Sequence, residues 1–218
     1  MNQAAPPLTS PQPGSVRHRV VLDDDATPMA RLIARRLRTW CEEHRPEPHA
    51  QAGGWVVVRS HDTPQLAAIH VGPGEWRVSN AIPEQPHADM TVALNARLSP
   101  VQPPSGNTSL AEPLVVALTA PPGAWRETAA EFWECTRDIT GIPDVLVVQA
   151  HGSLGVDELR LGAGPVEYGI AGSPDQLAGV FSGVDDIFTA LESGLTIKGT
   201  LAQLSVMTAA SWRVRYGF

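Results

Sequence analysis

The chain has few cysteines and no long apolar run. Its two cysteines, Cys41 and Cys135, are too few for a disulfide framework and belong to no CxxC motif, so we expect two buried free thiols. No apolar stretch approaches the roughly 18 residues that a membrane span needs. The first residues also lack a charged segment followed by an apolar core, the pattern of a secretory signal. We therefore expect a cytoplasmic protein with no integral membrane segment.

Positive charge is also scarce, and the net charge of the 218 residues is −7. Nucleic acids and anionic membranes favour basic surfaces, so neither is expected as the main partner. Four of the arginines, Arg31, Arg35, Arg36 and Arg38, fall in one predicted helix, where the simplest interpretation is a solvated face. Lys198 is the only lysine against fifteen arginines, a bias that indicates a GC-rich, bacterial genome.

What is present divides the chain into three parts. Residues 1–15 are rich in Pro, Ser and Gln and are predicted to form a disordered tail. Residues 16–123 form an N-terminal part with one helix followed by several strand signals. Residues 124–218 form a C-terminal part in which strands and short helices follow a first helix. The hydrophobic fraction of 43% is typical of a folded globular protein.

In the N-terminal part, a helix is predicted to begin at Pro28, with Thr27 as its N-cap, and to end before Pro46. Strand signals follow in GGWVVVRS, QLAAIHVG, EWRVSN and ADMTVALNA. Residues 99–113 are rich in Pro, Ser and Gly and indicate a linker or a long loop. The run PLVVALTA, residues 113–120, favours a strand because it is short and rich in valine.

In the C-terminal part, the helix AWRETAAEFWECTRDI precedes strand signals in DVLVVQAH, DELRLG and VEYGIAG. Two short helices, SPDQLAGVF and VDDIFTALES, each open on a Ser or Asp capping candidate. A strand LTIKG, a helix TLAQLSVMTAA and a closing strand or tail SWRVRYGF complete the chain. Both parts place a helix with Trp and Cys before a Val-rich strand, about ninety residues apart, which either duplication or chance similarity explains.

The segment EYGIAGSPDQLAGVFSGVDDIFTALESGLTIKGTLAQLSVM combines turns, short helices and glycines in a distinctive order. The residues that carry this pattern are Gly172, Ser173, Pro174, Asp175, Gly183, Ser193, Gly194, Ile197, Lys198, Gly199 and the run Leu201–Met207. In this order and spacing, the region from Asp144 to Met207 resembles the sterol carrier protein type 2 family. The resemblance covers roughly a third of the chain, and the N-terminal part shares only the coarse order of elements.

The resemblance implies an α+β fold, with a twisted, mostly antiparallel sheet and helices packed on one face. The N-terminal part would be either a divergent second copy or strands that extend the same sheet. In that family, sheet and helices enclose an apolar tunnel for lipids or fatty acyl chains. The residues expected to line such a cavity here are Leu177, Val180, Phe181, Ile187, Phe188, Leu191, Leu201, Leu204 and Met207. A sealed core uses the same residue types and is the alternative interpretation.

Motifs for catalysis or metal binding are missing from the sequence. There is no GxSxG elbow, no GxGxxG between a strand and a helix, and no HxH or HxxxH pair. Asp185 and Asp186 begin a predicted helix, where carboxylates are favoured by the helix dipole. We therefore expect no catalytic residue, no metal ligand and no cofactor.

The sequence predicts a non-catalytic carrier for a hydrophobic small molecule: a lipid, fatty acyl, sterol-like or polyketide-like compound. One alternative is an interaction module that has lost the tunnel, exposes apolar surface and docks on a partner enzyme. Another is a pathway enzyme that uses the cavity as its active site, which would require converging polar groups.

Overall fold

The computed structural model describes residues 18–44, 53–153 and 155–217. The predicted tail and the helix-ending Pro46 lie outside these residues. The described chain is an α+β molecule with a seven-stranded sheet, a four-stranded sheet and six α-helices, which confirms the predicted class. The two sheets are separate, so the N-terminal strands do not extend the C-terminal sheet.

The N-terminal half consists of one mixed sheet covered by two helices. Its elements are β1 (Arg19–Leu22), α1 (Pro28–His44), β2 (Gly54–Ser60), β3 (Leu66–Gly72), β4 (Glu75–Ser79), β5 (Ala88–Ala93), a 3₁₀ turn (Leu94–Ala96), β6 (Ser99–Pro100), β7 (Ser105–Gly106) and α2 (Thr108–Thr119). The strand order is β1-β4-β3-β2-β5-β6, with β7 also paired to β5. The β1–β4 and β2–β5 pairs are parallel, and the others are antiparallel.

Local sequence explains where these elements begin and what they bury. The Thr27 hydroxyl accepts a hydrogen bond from the Ala30 amide at 3.3 Å, so α1 begins at Pro28 as predicted. In β5, Ala88, Met90 and Val92 are buried while the residues between them are partly exposed. This alternation directs one face of the sheet toward α1 and α2, where the core of the half lies.

Two predictions near the middle of the chain are wrong. The run PLVVALTA is helical, because Leu110, Leu114, Ala117 and Leu118 are buried at helical spacing in α2. The helical spacing is not visible in the segment 113–120 alone, because the first turn of α2, with the buried Leu110, lies before Pro113. The predicted loop over residues 99–113 accordingly contains β6, β7 and the start of α2.

The arginine cluster of α1 is also not uniformly solvated. Arg36 is buried and donates two hydrogen bonds to the Leu118 carbonyl, at 3.3 and 3.1 Å, and a third to the Ala120 carbonyl. These carbonyls lie at the C-terminus of α2, where helix carbonyls lack partners and a cation is favoured. Burial lowers the pKa of the Arg36 guanidinium. The expected solvated face is therefore wrong for this residue.

The C-terminal half places four helices on its smaller sheet. Its elements are α3 (Trp125–Thr136), β8 (Val145–Gly152), β9 (Gly155–Gly162), β10 (Glu167–Gly172), α4 (Pro174–Phe181), α5 (Ile187–Glu192), β11 (Thr196–Lys198) and α6 (Leu201–Tyr216). The strand order is β11-β10-β8-β9, and only the β8–β10 pair is parallel. Helix α6 runs through the segment predicted as a closing strand. Cys135 is exposed, so the expected burial of both thiols is wrong for this one.

Capping side chains fix the short helices of this half. Ser173 and Gln176 form a capping box at the start of α4, and Thr200 and Gln203 form one at the start of α6. Asp186 caps α5 by accepting from the Phe188 amide at 2.9 Å. The predicted Ser and Asp helix starts are thus confirmed.

The two halves share one strand arrangement. In the first half, β2 pairs antiparallel with β3 and parallel with β5, which pairs antiparallel with β6. In the second, β8 pairs antiparallel with β9 and parallel with β10, which pairs antiparallel with β11. A helix precedes and a helix follows each set. The order β3-β2-β5-β6 therefore matches β9-β8-β10-β11, as a divergent second copy would require.

Candidate functional site

Five of the nine predicted cavity residues are buried in the core of the C-terminal half. They are Leu177, Val180, Phe181, Ile187 and Met207, each at most 3% exposed. They belong to one apolar cluster, in which the Phe181 ring lies 5.2 Å from the ring of Phe132 on α3. These side chains pack against other side chains of the same half.

The other four predicted residues lie nearer the surface. Leu191 is half-buried and packs against the core. Phe188 and Leu201 are 46% and 85% exposed, and with Leu204 they line an open groove of about 400 Å³. We call this the α5–α6 groove. Its described lining consists of Phe188, Leu201, Leu204, Ser205, Thr208, Ala209 and Trp212.

Hydrogen bonds at the start of α5 hold the walls of this groove. Asp186 Oδ1 accepts from the Phe188 amide, while Trp212 Nε1 donates to Asp186 Oδ2 at 3.3 Å. One carboxylate therefore caps the backbone of α5 at Phe188 and also holds the Trp212 side chain of α6. The capping box at Thr200 makes Leu201 the first residue of α6, at the open end of the groove. Local capping chemistry thus sets the shape of the site.

Helix α6 is unusual because it has an apolar face on the outside as well as the inside. Met207, Ala210 and Val214 face the core, whereas Leu201 and Trp212 are exposed. No charged residue occurs from Leu201 to Trp212. An exposed helix face normally carries charged or polar side chains. The outer face of α6 is therefore suited to cover by another apolar surface.

Sequence reasoning missed part of this groove. Trp212 lines the groove and is 44% exposed, although it is not among the nine predicted cavity residues. The prediction of a strand or tail after the α6 signal removed Trp212 from the helix and so from the face shared with Leu201. The charge-free stretch that ends at Trp212 was the available signal.

Gly199, which follows Lys198 in the turn before α6, has a packing role. A Cβ at Gly199 would lie 2.6 Å from Cδ2 of Tyr168, so only glycine lets the β11–α6 turn approach this ring. Tyr168 is fully buried, and burial raises the pKa of its phenol. The Tyr168 ring thus packs against the turn at the start of α6. Its hydroxyl stays neutral at ordinary pH, because its pKa is raised.

The groove offers apolar contact and little polar chemistry. Its two hydroxyl residues are Ser205 and the buried Thr208, and no ionisable side chain lines it. Across the described residues, no group of three or more His, Cys, Asp or Glu side chains is placed to hold a metal. The arrangement can bind an apolar surface.

Comparison with known proteins adds no relative. No protein-family model, no curated protein and no solved structure matches this chain. The sterol-carrier resemblance from Asp144 to Met207 therefore stays a prediction. Within the described ranges, no helix is long and apolar enough to cross a membrane.

Proposed function

We propose that this protein is a non-catalytic binding protein of the bacterial cytoplasm that holds a hydrophobic molecule in the α5–α6 groove. The ligand class is a lipid, fatty acyl, sterol-like or polyketide-like compound. The observation that carries the proposal is the exposure of three large apolar side chains, Phe188, Leu201 and Trp212, around one groove. Exposed apolar patches of this kind commonly mark ligand grooves or interaction sites.

The openness of the groove predicts moderate affinity. Full burial of a sixteen-carbon chain would yield on the order of 10 kcal/mol, at roughly 0.8 kcal/mol for each methylene. A groove that covers about half of the chain yields about 5 kcal/mol, before the cost of immobilising the ligand. Such a site suits transient presentation of the ligand to an enzyme better than long storage.

A second candidate function is an accessory module that docks on a partner enzyme. It is favoured by the 85% exposure of Leu201 and by the absence of charged residues from Leu201 to Trp212. An apolar groove of this kind fits the apolar stripe of a helix from another protein. In this case the groove is occupied by a protein segment.

The test compares Leu201→Asp with a matched control, Val116→Asp. Val116 is 57% exposed on α2, the helix of the N-terminal half that corresponds to α6. Native mass spectrometry of the purified full chain reports co-purified ligands, and thermal shift with fatty acids, acyl esters and sterols reports affinity. Circular dichroism establishes that each variant is folded.

We expect Leu201→Asp to weaken lipid binding at least about tenfold, because a charge is placed against the acyl chain, and Val116→Asp to leave it unchanged. Equal binding by both variants would contradict the groove as the site. If the wild-type chain binds none of these compounds, the carrier proposal is wrong. Loss of a co-purifying protein in Leu201→Asp alone would then support the docking module.

A further inference from the structure

The edge of the smaller sheet formed by β9 has no neighbour within the described part of the chain. The eight residues from Gly155 to Gly162 pair with β8 on one side only. In the N-terminal half, the corresponding strand β3 is covered at this edge by β4 and then β1. The β9 edge is exposed over most of its length, and Val156 is 66% exposed. A long exposed edge is a template for pairing with another strand.

The backbone groups at this edge can be identified from one contact. Arg126 on α3 donates to the Glu158 carbonyl at 3.0 Å and also pairs with the Asp157 carboxylate. This contact places the Glu158 carbonyl on the side away from β8. Because alternate residues of a strand point the same way, the backbone groups of Val156 and Arg160 also face outward.

We propose that a second copy of this chain pairs antiparallel with β9, across a two-fold axis through Leu159. This axis places Glu158 opposite Arg160 of the second copy, and Arg160 opposite its Glu158. The outward backbone groups of these residues then pair with one another. The two four-stranded sheets join into one continuous sheet, and the second copy takes the place that β4 has beside β3.

Charge complementarity selects this register. A two-fold axis normal to the sheet keeps each side chain on its own face, so Glu158 and Arg160 meet on the outer face of the sheet. Leu159 meets its own copy on the helix side, where it already packs against the core. The neighbouring registers, centred on Glu158 or on Arg160, set like charges directly opposite each other, which is unfavourable.

The side-chain contacts of Glu158 and Arg160 that dimerisation through β9 would replace are weak. Gln149 Nε2 donates to Glu158 Oε2 at 2.9 Å, and Arg160 pairs with Glu167 while both side chains are about half exposed. Exposed pairs of this kind contribute little to stability. The Arg126 bond to the Glu158 carbonyl is replaced by the Arg160 amide of the second copy, while the Arg126 pair with Asp157 is kept.

The experiment is a charge swap followed by sedimentation equilibrium of the full chain. Glu158→Arg alone and Arg160→Glu alone each turn two attractive cross-strand pairs into repulsive ones. We expect each to weaken dimerisation about tenfold or more. The double variant restores both pairs with their signs reversed, and we expect its dimerisation to return to near the wild-type value.

The matched control is the same swap at Glu75 and Arg77, which are also two residues apart on a strand. They lie on β4, which is paired on both sides, so neither single swap should change the association constant. Circular dichroism verifies folding. A wild-type chain that stays monomeric to submillimolar concentration overturns the proposal. So does a dimer that the single swaps do not weaken, or one that the double variant does not restore.

Discussion

The two halves of the molecule share one arrangement of four strands, and each half adds further elements at a different place in it. The N-terminal half adds β4 and β1 outside β3, and only a 3₁₀ turn lies between β5 and β6. The C-terminal half leaves the β9 edge uncovered but inserts α4 and α5 between β10 and β11. The first half therefore covers the edge of β3 with further strands, and the second builds a groove. Where each addition occurs decides which surface stays available for binding.

The distribution of exposed apolar side chains follows this difference. In the N-terminal half, the exposed large apolar residues are Ile82, Val101 and Val116, which lie on separate segments. In the C-terminal half they are Val156, Val166, Phe188, Leu201 and Trp212. The last three of these converge on one groove. The proposed binding groove therefore has no counterpart among the exposed apolar side chains described for the first half.

Arg97 is an arginine that links the halves at the site of the inserted helices. Arg97, directly after the 3₁₀ turn, donates to Asp185 at 2.8 and 2.6 Å and to Asp175 at 2.9 and 2.8 Å. It adopts a left-handed conformation with φ of 55°, which is strained for a residue with a side chain. Because Asp175 lies in α4 and Asp185 lies just before α5, these bonds connect both inserted helices to the first half.

The largest expected effect comes from Gly179→Ala on α4. An added Cβ would lie 1.9 Å from Asp185 Oδ2 and 2.9 Å from the Arg97 guanidinium, so both side chains must shift from their paired positions. We expect a loss of about 2–3 kcal/mol in the free energy of unfolding, although alanine is the better helix former. Urea unfolding measures this loss.

The matched control for this substitution is Gly152→Ala, where an added Cβ meets nothing within 4 Å. It should change the free energy of unfolding by less than about 0.5 kcal/mol. In an Asp185→Ala background, Gly179→Ala should become close to neutral. If Gly179→Ala still lowers the free energy of unfolding by the full amount in that background, the need for glycine does not come from the contact between Arg97 and Asp185.

The sequence predicts the elements of the second half better than those of the first, for a local reason. Its helices open on capping residues such as Ser173 and Asp186, which act within one turn and can be recognised in the sequence. Helix α2 has no side-chain hydrogen bond at its N-cap Asn107, and it contains Pro113, so its buried period was overlooked. Boundaries marked by side-chain chemistry are predictable, and those set by packing are not.

The candidate site was predictable only in part, since burial depends on the whole fold. The resemblance to the sterol carrier family implied that Phe188, Leu201 and Leu204 line one cavity, and the structure brings these three residues together in the groove. The apolar character of the segment could not separate them from Leu177 and Phe181, which are buried in the core. The Arg97 contact joins residues 78 and 88 positions apart, and no local pattern encodes it.

The next largest expected effect is a difference in thiol reactivity between the cysteines of the corresponding helices α1 and α3. Cys41 is buried, and burial raises the pKa of its thiol to about 11, whereas Cys135 is exposed. At pH 8 we expect a thiol reagent to modify Cys135 quickly and Cys41 at least about a hundredfold more slowly, because the thiolate is the reactive form. The time course of labelling measures both rates.

Cys135→Ser should remove the fast phase of this labelling, and Cys41→Ser should leave it unchanged. Addition of denaturant should merge the two phases in the wild-type chain. A fast phase that survives Cys135→Ser would contradict the burial of Cys41, and with it the sealed core of the N-terminal half.

The smallest expected effect is the pH dependence of the junction between the halves. Hydrogen bonds from Arg97 lower the pKa of Asp175 below its ordinary value. A carboxyl group whose pKa is lower in the folded state stabilises the protein above its unfolded pKa of about 3.9, and this contribution is lost as the pH falls through the folded value. The Asp175 side chain is 68% exposed, so solvent screening keeps the contribution small.

We expect Asp175→Asn to lower the midpoint of urea unfolding slightly at pH 7, and we expect that difference to shrink steadily below about pH 4. In an Arg97→Met background we expect most of this difference at pH 7 to disappear, because only the interaction of the carboxylate with the first turn of α4 then remains. A difference at pH 7 that is as large in that background as in the wild-type chain would contradict the contact between the halves as its source.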